Sequence, residues 1–311
     1  LSSISPLSAS NGDLPLEADR GLILDRNGVV LADNLTTTSL VLIPNQIKDK
    51  KKTTTLLADI LGVSYEEMKE HVYKETSIER VHPEGRRLSY DVAEKIAALK
   101  LDGVYLVKEA KRYYPYGNML SHSLGYVGID NQGLSGLELQ YDKYLTGKSG
   151  AIKYFSDAKG NKLNLSDIYV EPQDGMNISL TIDINIQKSL ERELDNVVDM
   201  FSPDMALAIV MDPNNGEILG MASRPDYNPN QYQDYTQEVL SRNLPIWASY
   251  EPGSTFKIIT TSAAVEEGVV DLNKDHFYDA GSVNVDGSTL RCWKAGGHGE
   301  QTFLQVLQNS C

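Results

Sequence analysis

The order of hydrophobic and polar positions divides the chain into stretches with strand-like and helix-like periods. Glu17 to Ala32 reads as two short strands around Asn27-Gly28, a pair that tolerates the positive φ of a tight hairpin turn. From Thr53 to Lys100 the period becomes helical: Leu56, Leu57, Ile60 and Leu61 share one face, and Val92, Ile96 and Leu99 share another within Leu88 to Leu99. Val104 to Val107 predicts a strand, and Gly133 to Gly147 a short helix with glycine at both ends. Asn177 to Ile182 predicts a further strand. Asp183 then caps a helix whose expected apolar face is Ile186, Leu190, Leu194, Val197 and Val198. Ala206–Met211 and Glu217–Ala222 flank Asp212-Pro213-Asn214-Asn215-Gly216 and predict a buried antiparallel hairpin. Pro252-Gly253 then breaks the chain, and a helix is expected from Ser254 to Glu267, closed by Gly268.

That last helix carries the candidate chemistry. Lys257 follows Ser254 by three positions, about 300° of rotation and ~4.5 Å of rise, so its side chain can return to the serine's face. A serine hydroxyl becomes a useful nucleophile when a neighbouring base takes its proton, and a lysine held out of water can be that base. The helix start adds free N–H groups and partial positive charge where an oxyanion develops. Phe256, Ile258 and Ile259 flank Lys257, so this end of the helix is expected to be buried.

Pro252-Gly253-Ser254-Thr255-Phe256-Lys257 resembles the active-site signature of penicillin-binding proteins and serine β-lactamases, whose S-x-x-K is the first of three motifs. Arg20 to Ala32 is similar to the R-G-x-I-x-D-R-N-G-x-x-L-A segment that opens the non-catalytic pedestal domain of class B penicillin-binding proteins. Arg112–Gly128 and Gly133–Gly147 resemble the next two pieces of that domain. The resemblance implies a structural role for Arg20, Asp25, Arg112, His122 and Glu138. Lys148-Ser149-Gly150 mimics the family's third motif, K-[ST]-G, but precedes the serine and is read as a loop. In the second motif, S-x-N, Ser310 and Cys311 match the first two positions; the asparagine and the third motif fall after the last residue. From Gly281 onward, through Leu290–Gly299 to Ser310-Cys311, the chain resembles the family's sporulation-specific branch.

The resemblance implies an α+β fold of two domains, an elongated dimerisation-type pedestal followed by a truncated transpeptidase domain with an antiparallel sheet covered by helices. The expected boundaries are a linker at 1–17 following a membrane anchor not in this chain, the pedestal at 18–172, and the first part of the transpeptidase domain at 173–311. Glu171-Pro172-Gln173-Asp174-Gly175 forms the junction.

Composition narrows the partners. The chain has 311 residues, 41% of them hydrophobic, enough for two cored domains. A net charge of −14 argues against nucleic acid. No apolar run is long enough to span a membrane, and the Ser-rich opening from Leu1 to Gly12 reads as linker. None of the five histidines stands at metal-ligand spacing from another His, Cys or carboxylate, which predicts no metal and no cofactor.

By resemblance, the expected function is a serine D,D-transpeptidase that cross-links peptidoglycan stem peptides, is acylated by β-lactams and serves spore cortex synthesis. Ser254 is the expected nucleophile, Lys257 the proton acceptor and Ser310 the proton relay. The implied location is the extracytoplasmic face of a bacterial membrane, in sporulating cells the forespore membrane, beside a glycosyltransferase of the shape, elongation, division and sporulation family. Rival readings are a β-lactam sensor, a non-catalytic scaffold for that glycosyltransferase, and a hydrolytic β-lactamase. Cys292 and Cys311, 19 residues apart, are either a redox pair served by a thiol-disulfide oxidoreductase, or buried thiols or a structural bridge.

Overall fold

In the computed structural model, which describes residues 10–156 and 168–311, strand β1 (Ser10–Leu16) occupies much of the expected linker, and the linker's first nine residues lie outside the described residues. The expected hairpin follows as β2 (Ile23–Leu24) and β3 (Val30–Leu42). Gly28 alone of the turn pair takes positive φ, at 83°. The Asp25 carboxylate fixes the turn by accepting from the Asn27 and Val29 N–H groups, each at 2.8 Å, and reaches Ile184 N at 3.2 Å. Asp25 is fully buried. That burial pushes its pKa up, but the backbone N–H bonds from Val29, Ile184 and Asn27 outweigh it and leave the carboxyl below its ordinary range.

The helical period expected from Thr53 to Lys100 resolves into α1 (Lys50–Leu61), α2 (Tyr65–Val72) and α3 (Tyr90–Ala98), with the short strand β4 (Glu79–Arg80) before α3. Asp49 caps α1 by accepting from Lys52 N, and Ser64 with Glu67 forms a reciprocal capping box on α2. These helices bury Leu57, Met68, Val72 and Ile96 against Leu40 and Leu42 of β3. Strand β5 (Val104–Tyr113) is longer than expected because it pairs with β3 from Asp33 to Leu42. Together β2, β3, β4, β5 and a later strand form a five-stranded sheet.

Beyond it come α4 (Ser121–Leu124), α5 (Gly136–Gln140) and α6 (Asp142–Leu145), the last two dividing the single helix expected over Gly133–Gly147. Glu138 on α5 is fully buried. It accepts from Arg20 Nε at 2.6 Å, Arg112 Nε at 2.7 Å and the Tyr114 hydroxyl at 3.2 Å. Arg20 uses its remaining N–H groups on the Glu138 and Asn131 carbonyls, Asp142 and Thr146. Four stretches far apart in sequence are thereby pinned to one point. His122 is likewise structural: it is buried, it bonds the Val239 carbonyl through Nε2 at 2.7 Å, and burial lowers its pKa.

Strands β6 (Gly150–Ser156) and β7 (Ile168–Val170) complete a three-stranded sheet in the order β1-β6-β7. Only Ile178–Ser179, strand β8, forms within the stretch expected as a strand from Asn177 to Ile182, and it pairs parallel with β2. Asp183 caps α7 (Ile184–Phe201) as expected, accepting from Asn185 and Ile186 N–H groups. The buried face of α7 is Ile184, Gln187, Glu191 and Leu194, with Val197 exposed. The reason lies in the hairpin of β9 (Ala206–Met211) and β10 (Ile218–Arg224). Among the described residues this sheet has two strands, so Met221 turns an unpaired N–H and C=O outward. Gln187 meets both, at 2.8 and 2.9 Å. The hairpin is buried on one face only: Leu207, Ile209 and Met211 of β9 are exposed. Short helices α8 (Gln237–Ser241) and α9 (Leu244–Trp247) follow.

The chain separates into two compact units, Leu1–Ala248 and Ser249–Cys311. The junction expected near residues 171–175 lies inside the first, where Gly175 N bonds Asp19 O and Lys148 and Gln173 exchange both backbone bonds. The second unit contains α10 (Phe256–Glu266), β11 (His276–Asp279), β12 (Ser282–Val285), β13 (Ser288–Arg291), β14 (Gly299–Thr302) and α11 (Phe303–Gln308). In it β11 pairs antiparallel with β14, and β12 with β13. Among the described residues no helix is long and apolar enough to cross a membrane.

Replacing Glu138 by Ala leaves two buried guanidinium groups facing one another, and the expected loss is about 3–5 kcal/mol, read as a lowered urea midpoint. The depressed pKa of Asp25 has a pH signature. Its stabilisation is fully present above the ordinary carboxylate range and is lost as pH falls through the lower folded-state value. Asp25→Asn should therefore flatten the acid limb of a stability-versus-pH curve.

Candidate active site

The expected helix start is built in two steps. Pro252 accepts from Thr255 through its carbonyl, at 2.6 Å from the hydroxyl and 3.4 Å from the N–H, which winds Gly253–Thr255 into a 3-10 turn before α10. Ser254 sits in that turn, exposed. Among the described residues no hydrogen bond joins its side chain to Lys257. The expected burial of this helix end is not found: Phe256, Ile258 and Ile259 are 53%, 65% and 61% exposed. Apolar sequence neighbours mark a surface with an affinity for cover, and no described element of this unit covers them.

Lys257 instead reaches the far end of the unit. Its Nζ donates to the Ser310 carbonyl at 2.6 Å and lies 3.3 Å from Ser310 Oγ. Ser310 is presented by α11, whose start is fixed by a Thr302–Gln305 capping box. At the other end of α11, Ser310 N returns to Leu307 O and Cys311 N to Val306 O. Ser310 itself has φ of 52°, a left-handed conformation uncommon for a serine. Two of the three expected catalytic residues thus meet directly, and the third lies one turn from Lys257.

Beside Ser310, Cys311 Sγ donates to Asp279 Oδ2 at 3.0 Å. The same oxygen accepts from His298 N at 2.8 Å and lies 3.0 Å from His298 Nδ1. Cys292 Sγ is 3.3 Å from His298 Nδ1 and 3.9 Å from Cys311 Sγ. Both cysteines are free and half-buried. Bonds from the Cys311 and Cys292 thiols and the Gly281 N–H hold the Asp279 carboxyl far below its usual range, whereas burial, with the Asp279 bond, pushes the Cys311 thiol up to about 11. Two glycines permit this convergence. Gly281 and Gly297 pass with positive φ, 88° and 77°, and a Cβ on Gly297 would run into the Asp279 carbonyl. An open hollow of about 700 Å³ is lined by Lys257, Asp279, Cys292 and Cys311 together with Tyr278 and Val283.

The four groups Asp279, Cys292, His298 and Cys311 have the chemistry and proximity to hold a metal ion, a grouping that sequence spacing misses. They come from the end of β11, the two ends of the loop between β13 and β14, and the residue after Ser310. Trp293 Nε1 donates to Asn309 O at 2.8 Å and ties the Cys292 loop to the end of α11.

The family model of the penicillin-binding protein dimerisation domain matches residues 15–180, and that of the penicillin-binding protein transpeptidase domain matches 206–311. The chain belongs to the penicillin-binding proteins. It is 52% identical over 300 residues to stage V sporulation protein D of Bacillus subtilis, covering 96% of this chain and 46% of that protein. It is 32% identical over 307 residues to the peptidoglycan D,D-transpeptidase FtsI of Escherichia coli, covering 95% of this chain and 50% of that one. Penicillin-binding protein PBP2 of Helicobacter pylori, solved in complex with MreC, superposes with a TM-score of 0.71 at 25% identity, covering 96% of this chain and 60% of that one. The chain therefore spans about half the length of the relatives it matches. The two-domain α+β architecture of dimerisation and transpeptidase parts is that of the family.

The proximity of the two thiols can be read with a bifunctional bimane that fluoresces on bridging neighbouring sulfurs. Reduced protein should give the bridged product, and Gly297→Ala should lower its yield by pushing the Asp279 strand from the His298 loop.

Proposed function

We propose that this chain is part of a serine D,D-transpeptidase of peptidoglycan synthesis, with Ser254, Lys257 and Ser310 in one catalytic group. The observation that carries the reading is the bond from Lys257 to Ser310, which brings two stretches 53 residues apart together one turn from Ser254, in a chain with the family's transpeptidase part. Ser254 Oγ attacks the carbonyl of the penultimate D-alanine of a stem peptide, Lys257 takes its proton, and D-alanine leaves from the acyl-enzyme. An amine of a neighbouring stem then attacks the ester, forms the cross-link and frees Ser254. Ser310 passes protons to the departing and arriving nitrogens. β-Lactams acylate Ser254 in place of the stem peptide.

In this reading residues 18–172 are the pedestal and 173–311 the beginning of the catalytic domain. Likeness to the B. subtilis sporulation protein supports a role in the spore cortex, at the extracytoplasmic face of a membrane to which the full-length protein is anchored. The exposed apolar end of α10 is then a surface for further parts of the catalytic domain. A glycosyltransferase of the shape, elongation, division and sporulation family is the proposed partner for the pedestal. An oxidoreductase is the proposed partner for Cys292 and Cys311.

The test is D-alanine release from a pentapeptide stem by the full-length protein. Ser254→Ala should abolish release, and Lys257→Ala should slow it about a hundredfold or more. Release that survives Ser254→Ala would overturn the assignment.

A further inference from the structure

Ser310 holds a backbone conformation that its own side chain disfavours. The end of α11 is a Schellman turn: Cys311 N–H donates to Val306 O at 3.0 Å and Ser310 N–H to Leu307 O at 3.1 Å, with Ser310 in the left-handed position. Glycine ordinarily fills that position, because a Cβ is costly there. A serine in this place needs support from outside the turn.

That support comes from two side chains outside the catalytic group. Trp293 Nε1 donates to Asn309 O at 2.8 Å, and Gln301 Oε1 accepts from Asn309 Nδ2 at 2.6 Å. A peptide unit is planar, so the unit entering Ser310 is fixed at both ends, by Trp293 on its oxygen and Leu307 on its N–H. The unit leaving Ser310 is fixed likewise, by Lys257 on its oxygen and Val306 on its N–H. With both planes held, the backbone of Ser310 has little room to turn, and its Oγ stays 3.3 Å from Lys257 Nζ.

Neither side chain is explained by packing. Gln301 is only 3% exposed, yet among the described residues its Nε2 has no hydrogen-bond partner. A buried donor left unpaired is costly, and a methionine of similar size would fill the space without that cost. The backbone of Gln301 is set by β14, where it pairs with Phe277 of β11, so the amide that meets Asn309 is carried on a sheet. Trp293 is the opposite case. It is 72% exposed, so most of its ring covers nothing, and the single donor of its indole goes to Asn309.

We propose that Gln301 and Trp293 are positioning residues of the transpeptidase site: acting through Asn309, they hold Ser310 left-handed so that its hydroxyl and carbonyl meet Lys257. The consequence for catalysis rests on the catalytic reading above; the hold on Ser310 does not. Without either bond the peptide between Asn309 and Ser310 can turn. Ser310 then relaxes toward the right-handed region open to any residue, and its Oγ leaves the path by which a proton reaches the departing nitrogen.

The test compares the full-length protein with its Gln301→Met and Trp293→Phe variants. Hydrogen–deuterium exchange of the peptide containing Ser310 reads the hold directly. Both variants should speed exchange of the Ser310 and Cys311 amides by about tenfold, and unchanged exchange would overturn the hold. Fluorescent penicillin over a range of concentrations separates the affinity of the encounter from the acylation rate constant. Both variants should lower that rate constant about tenfold and leave the affinity unchanged. A loss confined to affinity, or rates equal to those of the parent, would overturn the positioning role. Trp293→Phe alters an exposed ring, so its result stands whether or not Gln301→Met folds. The comparison that separates positioning from general support uses Ser310→Gly, since glycine takes the left-handed conformation unaided. In that background Trp293→Phe and Gln301→Met should change the residual acylation by no more than about twofold. An undiminished effect there would mean that the two residues support the fold and do not act through Ser310. Labelling that survives Ser254→Ala, with the exchange effect intact, would overturn the catalytic reading while the hold on Ser310 stands.

Discussion

A carboxylate taken out of water must be met by donors, and in this chain that requirement decides which distant segments come together. Glu138 draws Arg20, Arg112 and Tyr114 to itself, and Arg20 in turn binds the loops around Asn131, Asp142 and Thr146. Asp25 fixes the first hairpin and also takes Ile184 N at the start of α7. The two families of bonds join residues 20–29 to the end of β5, to α5, α6 and the loop before them, and to the start of α7. Such buried charges gain little over well-packed apolar groups, but removing one partner is costly, so their main effect is to make one arrangement much better than its neighbours.

In the second unit Asp279 plays the comparable part. Its two oxygens collect Gly281, His298 and Cys311, and Gly281 and Gly297 let the loops approach closely enough for this to occur. The result fixes the residue after Ser310, while α11 and its capping box fix the residues before it. Ser310 is held from both sides in a left-handed conformation. Its carbonyl is then turned toward Lys257. Helix α10 supplies the lysine and the preceding turn supplies Ser254, so the site depends on two helix ends and one loop crossing.

Local signals were legible where the cause is local. Asn27-Gly28 gave the first turn, Asp183 the cap of α7, and Pro252-Gly253 the break before the Ser254 turn, because each acts on backbone within a few residues. The pedestal motifs pointed to Arg20, Glu138 and His122 as structural, and their burial and bonding fit that role. What periodicity missed depends on partners far away in sequence. Gln187 is buried because an edge strand needs its backbone satisfied, and Glu191 because it accepts from Gln187, Leu120 N and Arg224, while the expected Val197 is exposed. Phe256, Ile258 and Ile259 read as buried from composition, yet burial is decided by what packs above a helix. Asp279 and His298 escaped notice because their chemistry arises only when the end of β11, the loop between β13 and β14 and the residue after Ser310 converge.

In the proposed site Ser254 is the nucleophile, completed by Lys257 and Ser310. Peptide mapping of the full-length protein after reaction with a β-lactam tests it most directly. A single acyl adduct is expected on the peptide containing Ser254, lost in Ser254→Ala and formed more slowly in Lys257→Ala and Ser310→Ala. An adduct on another residue, or one that forms at the same rate in all three variants, would contradict it.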